Sequence, residues 1–176
     1  MASASVTTAD EPLRQGDLRL LETDLARELL QAPIPVRMAF VWTDGTPRVV
    51  PTWFHWTGQE IVMVTYVAGQ QIGVRHPAAR LAALRANPRV ALTIDTDTFP
   101  PRILTLRGTA DITEVQGIVP EYAATARRYL GEEAAGPMLA ALDQPGTRQA
   151  RIAVKPDWAG LLDFESRRPS VQGGVG

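Results

Sequence analysis

A chain of 176 residues, 45% of them hydrophobic, is long enough for one domain with a sizeable core and too short to make two domains the expectation. The net charge of -1 and a pI near 6.1 lack the basic balance of a nucleic-acid-binding protein, and the absence of cysteine removes disulfides, thiolate nucleophiles and zinc-thiolate sites. The first thirty residues carry neither a basic n-region nor an apolar h-region, and no run reaches the ~18 apolar residues of a membrane span, so a soluble, cytoplasmic protein is expected.

In chain order, residues 1–16 are small, polar and unpatterned and read as a mobile tail. From a cap at Asp17, Leu18, Leu21, Leu25 and Leu29 recur at helical spacing up to the break at Pro33 and Pro35. Residues 36–43 are strand-like, Asp44-Gly45 is a hairpin signal, and residues 48–56, RVVPTWFHW, resume as a second strand. Alternation puts Val49, Pro51, Trp53 and His55 on one face of it and Val50, Thr52, Phe54 and Trp56 on the other. Both faces are largely apolar, so one lines a core and the other needs a helix, a bound ring system or a second subunit to cover it. Pro51 removes a ladder donor, which fits an edge or a bulge.

Thr57-Gly58 turns the chain into a third strand that opens on the apolar run from Ile61 to Val64. A Gly-bearing loop then leads to a helix starting near Pro77, and Asn87-Pro88 stops it. Arg75, His76, Arg80, Arg85 and Arg89 lie in this stretch, while no Asp or Glu occurs between Glu60 and Asp95, although the chain holds 19 acids. A helix start offers unpaired N–H groups and partial positive charge, and arginine offers a rigid fork for phosphate oxygens. The stretch therefore reads either as an anion-binding corner or as a solvated basic helix. A fourth strand follows over residues 90–95, a fifth over 102–112 with Gly108 as bend or bulge, helices over 117–130 and 134–142, a sixth strand over 151–155 and a short seventh over 159–163. Residues 166–176 read as a loose tail. Hairpin-linked strands with flanking helices, and no regular strand-helix alternation, predict a mainly β antiparallel barrel of six to seven strands within residues 17–165.

The chemistry is narrowed by scarcity. His55 and His76 are the two histidines, no H-E-x-x-H occurs and the acids show no ligand spacing, so no metal is expected. No G-x-S-x-G, Walker loop or G-x-G-x-x-G is present. No catalytic acid, base or nucleophile can be named, and redox work carried by a cofactor is the chemistry left open.

The series TDGTPRVVPTWFHW, EIVMVTY, ARLAALRANPRVALTID and RILTLRGTADI, over roughly residues 33–165, resembles the pyridoxamine 5'-phosphate oxidase-like family, the flavin and deazaflavin-dependent split-barrel oxidoreductases. The resemblance implies a homodimer binding FMN or the deazaflavin coenzyme F420 between subunits and passing a hydride to a small organic substrate, with a slight lean to F420. It places Pro51, Thr52 and Trp53 at the ring, Val64 and Thr65 at the ring edge or ribityl chain, and Arg80, followed by Leu81, at the cofactor phosphate. Phe99 and Arg102 would come over the ring from the partner subunit. The loop between Thr65 and Arg80 is longer than the family's usual one, so Arg75 or His76 could replace or assist Arg80, and Ala83 stands where many members carry Asn. The arginine-bearing C-terminal motif of true pyridoxamine phosphate oxidases is not recognisable, which argues against that substrate. A non-catalytic flavin- or haem-binding or cofactor-storage protein on the same fold, and a hydrolase using His55, are the alternatives.

Overall fold

The computed structural model describes residues 13–69 and 77–165. Seven strands form one antiparallel sheet: β1 (Val36–Val41), β2 (Pro47–Thr52), β3 (His55–Trp56), β4 (Ile61–Ala68), β5 (Arg89–Asp95), β6 (Ile103–Gln116) and β7 (Arg148–Leu162), in the order β2-β1-β5-β6-β7-β4-β3. Helices α1 (Asp24–Gln31), α2 (Pro77–Ala86), α3 (Pro120–Leu130) and α4 (Glu132–Leu142) flank it. The predicted mainly β antiparallel barrel is thus a sheet that curls without closing.

The curl follows from chain connectivity. β2 and β3 are opposite edges of the sheet, yet only Trp53 and Phe54 separate them. Three trans peptide steps reach at most about 11 Å, so the two edges must approach one another and the sheet becomes a split barrel. The single strand expected over residues 48–56 is therefore two. β2 ends at Thr52, paired with Val36, and β3 pairs with β4 through His55 and Val62. Pro51 sits on an edge strand, where its missing N–H costs no ladder bond. In the other direction, the expected sixth and seventh strands merge into β7, which follows β6 from Arg148 to Leu162 past an irregularity at Arg107/Gly108.

The inward side of the curl carries the core, with Val36, Met38, Ile61, Met63, Leu92 and Leu104 all buried. Each such aliphatic side chain withdrawn from water contributes roughly 1.5–3 kcal/mol. The N-terminal helix departs from its predicted phase. A 3-10 turn (Leu18–Glu22) precedes α1, and extended Thr23 between them accepts a bond from the Ala26 N–H. A 3-10 turn advances a residue by 120° rather than 100°, and the extended residue resets the count. Leu20, Ala26, Leu29 and Leu30 are therefore buried, while Leu18 stays 42% exposed. Gln15 and Gly16, expected in the tail, are fastened to β7: Gly16 N–H donates to the Ala159 carbonyl at 2.7 Å, and the Gln15 amide bonds both polar backbone atoms of Leu161.

Candidate functional site

The best-defined chemical feature lies where the far half of β4 meets the first turn of α2. Pro77 opens the helix, an arrangement suited to a first turn whose N–H groups have no helical partner. Arg80 shares a helical face with Ala83 and Leu84, three and four residues on, and both of these are buried in the core. Arg80 is therefore carried toward the sheet rather than into water. Its Nη2 donates to the hydroxyl of Thr65, which is 2% exposed and faces inward in the same alternation as Ile61 and Met63.

This guanidinium is short of partners. Its Nε is buried without an acceptor, and no carboxylate pairs with it among the described residues. Arg37, Arg85, Arg89, Arg102 and Arg151, by contrast, each meet an acid. Burial pulls the Arg80 pKa down. An arginine nevertheless stays protonated, so a positive charge is held partly out of water with one neutral hydroxyl as its described partner. A phosphate, with several anionic oxygens, matches that donor set.

The remaining expected site residues are scattered. Val64 adjoins Thr65 but points to the other face of β4, so the two cannot act on one ligand atom from the same side. Leu81 is 1% exposed inside the core, and its side chain is packing. Pro51 is exposed on β2, and Thr52 donates from its hydroxyl to the Trp53 carbonyl at 3.4 Å. Trp53 leaves the strand to stack on Tyr129 of α3, with ring centroids 4.9 Å apart and 18° between planes. Phe99, in the loop after β5, is 97% exposed, and Arg102 pairs with Glu28 of α1 at 2.6 Å. Arg75, His76 and the rest of the long loop fall outside the described residues. Thr65 and Arg80 are thus expected residues from separate elements that the fold brings into direct contact.

Two polar groups were not foreseen. Arg128 donates to the Leu30 carbonyl at 2.9 Å and to the Phe54 carbonyl, and lies over the Phe54 ring at 4.5 Å. Arg151 bridges Glu60 at 3.0 Å and Glu121 at 2.9 Å. Both join segments far apart in sequence, and no local pattern marks such pairings. His55 lies near Arg128 and Glu121. Burial first, then the Arg128 charge, lowers its pKa, with Glu121 opposing. No group of three or more His, Asp or Glu among the described residues could hold a metal, and no described helix is long and apolar enough to cross a membrane.

Comparison with known proteins covers most of this architecture. Residues 23–161 match the family model of pyridoxamine 5'-phosphate oxidase. A solved structure described as an F420 reductase is 24% identical with a TM-score of 0.54, covering 76% of this chain and 94% of its own. The conserved hypothetical protein Rv2991 from Mycobacterium tuberculosis is 17% identical with a TM-score of 0.59, covering 95% of this chain and 100% of its own. A heme-binding protein from Mycobacterium smegmatis is 17% identical with a TM-score of 0.52, covering 82% of this chain and 55% of its own. At these identities the likeness is one of fold. No curated protein matches the chain by sequence.

Proposed function

The chain belongs to the pyridoxamine 5'-phosphate oxidase family, and from that premise we propose that it is an oxidoreductase holding the phosphate of FMN or of the deazaflavin F420 at Arg80. The observation that carries this reading is the part-buried guanidinium of Arg80, which bonds Thr65, has a buried Nε without an acceptor, and has no carboxylate partner among the described residues. Drawing a charge from water without a described counter-ion is costly, and a phosphate anion would offset that cost while accepting from Nε. When bound, the flavin or deazaflavin ring supplies hydride transfer to and from a small organic substrate. This chain's own residues bind and orient: Arg80 and Thr65 at the phosphate end, with Trp53, fixed by its stack on Tyr129, as a wall for the ring. Pyridoxamine phosphate is not the proposed substrate, because the arginine-bearing C-terminal motif for it is not recognisable.

The reading includes a homodimer with the ring between subunits. Support comes from the outward face of the sheet, where Ala39, Val41, Val49, Pro51 and Ala91 are apolar and half-buried or exposed. Val49 alone is 63% exposed.

Titrating the protein with FMN and with F420, followed by absorbance, tests the assignment. Arg80→Ala is expected to weaken the preferred cofactor by ~1.5–3 kcal/mol, the range for a hydrogen bond to a charged group. An unchanged dissociation constant would remove Arg80 from the site. A second reading, a non-catalytic flavin or haem binder, draws on the fold-level likeness to the heme-binding protein and on the lack of a nameable acid or base. Tight binding with no turnover across quinones and enones favours it.

A further inference from the structure

A cleft of about 550 Å³ opens at the other end of the barrel, between the N-terminal 3-10 turn, the turn entering β4 and the middle of β7. It exists because β4 starts at Ile61, opposite Val154, so Lys155 and Pro156 extend past the last β4 partner. Pro156 has no N–H to offer at that uncovered edge. Gly58, with φ of +95°, turns the chain away, and a Cβ placed there would meet nothing within 4 Å.

The lining has two distinct parts. Leu18, Leu21 and the half-buried Trp56, which packs against the main core, form an apolar wall. Lys155 and Arg27 supply positive charge, and Glu22 is the one acid among the lining residues. Lys155 has no carboxylate partner among the described residues. Arg27 reaches Asp24 only at 3.9 Å, with both side chains largely in solvent, a pairing too loose to compete with a bound anion. The volume lies within the ~300–1,000 Å³ of small-molecule sites, and the cleft shares no lining residue with the Arg80 corner.

We propose that this cleft is a second ligand site, binding a small aromatic carboxylate with its ring against Trp56, Leu18 and Leu21 and its carboxylate on Lys155 and Arg27. An aromatic ring gains from Trp56 both apolar contact and a preferred stacking geometry. The anionic group selects against neutral molecules of the same shape through the two cations.

Isothermal titration of the whole chain with 2-naphthoate, and with 2-naphthalenemethanol as the uncharged counterpart, tests the proposal. Saturable 1:1 binding of the carboxylate is expected, at least about tenfold tighter than the alcohol. The double variant R27Q/K155Q, altered at exposed positions that leave the core intact, should lose that preference, and Arg80→Ala should keep it. Trp56→Leu should weaken both ligands, provided circular dichroism shows it folded. Equal affinity for acid and alcohol, no saturable binding, or a preference that survives R27Q/K155Q would overturn the site. Loss of binding in Arg80→Ala would assign the ligand to the other corner instead.

Discussion

Replacing Arg80 should act with opposite sign on folding and on binding. A guanidinium partly withdrawn from water, with one neutral partner among the described residues, is a folding liability, and replacing a buried charge by an apolar side chain of similar volume is often neutral or stabilising. Arg80→Met is therefore expected to unfold in urea at the same or a higher midpoint than the parent. Added phosphate should raise the midpoint of the parent and leave that of the variant unmoved. A large destabilisation of Arg80→Met would make the residue a structural tie rather than an anion ligand. His55 gives a pH dependence of definite sign. Burial and the neighbouring Arg128 hold its pKa below the ordinary 6.5, so the folded chain takes up this proton less readily than the unfolded chain. Its contribution to stability is complete above that value and is lost as pH falls through it. Glu121 acts in a lower window: burial raises its carboxyl, but hydrogen bonds from its own backbone and from Arg151 carry it below the ordinary 4.5. Urea unfolding at about pH 7.5 and about pH 5.5 should show a loss of stability on acidification that is smaller in His55→Gln. Equal losses in the two proteins would remove His55 as the cause.

Helix α3 is held at both ends by bonds that cross the fold. Near its start Glu121 pairs with Arg151, and the Val119 N–H donates to the buried Gln149 Oε1 at 2.7 Å, standing in for a side-chain cap that α3 lacks. At its end Arg128 ties down the Leu30 and Phe54 carbonyls, and the Tyr129 hydroxyl donates to the Ile34 carbonyl at 2.7 Å. The hydrophobic patch beneath is small, centred on Ala126, Ala135 and Leu139, so polar ties matter more here than in the main core. Tyr129→Phe keeps the ring against Trp53 and deletes one hydrogen bond, with an expected cost of ~0.5–1.5 kcal/mol by denaturant titration. In the β6–β7 ribbon, Gly108 occupies the irregularity opposite Pro156, where an added Cβ would collide with the Lys155 carbonyl oxygen and press on Val154. Backbone cannot swing aside as a side chain can, so Gly108→Ala is expected to destabilise by ~1–3 kcal/mol. A neutral result would mean that the ribbon slides to absorb the methyl group.

At the scale of the whole molecule, the outward face of β2-β1-β5 is the surface through which the proposed dimer would form. Pro47 and Pro51 both lie on the free edge strand and discourage strand-to-strand extension, so association should proceed through the face rather than the edge. Sedimentation at micromolar concentration is expected to give a dimer, and Val49→Glu to shift it toward monomer while leaving the fold intact. A monomeric parent would contradict the proposed placement of the ring between subunits.

Local pattern in the sequence was enough to place β1, β5 and the first part of β6, because alternation and turn residues act over a few positions. The acid-free stretch around Arg80 was legible for the same reason: charge depletion is a property of the chain itself. Tertiary structure alone decided that the run through Trp53 and Phe54 is two edge strands. It likewise fixed the buried face of the N-terminal helix, which carboxylates Arg151 and Arg102 meet, and that Val64 and Leu81 turn away from Arg80. Each of these depends on which distant segments the curl of the sheet brings together, and composition and spacing hold no record of partners a hundred residues away.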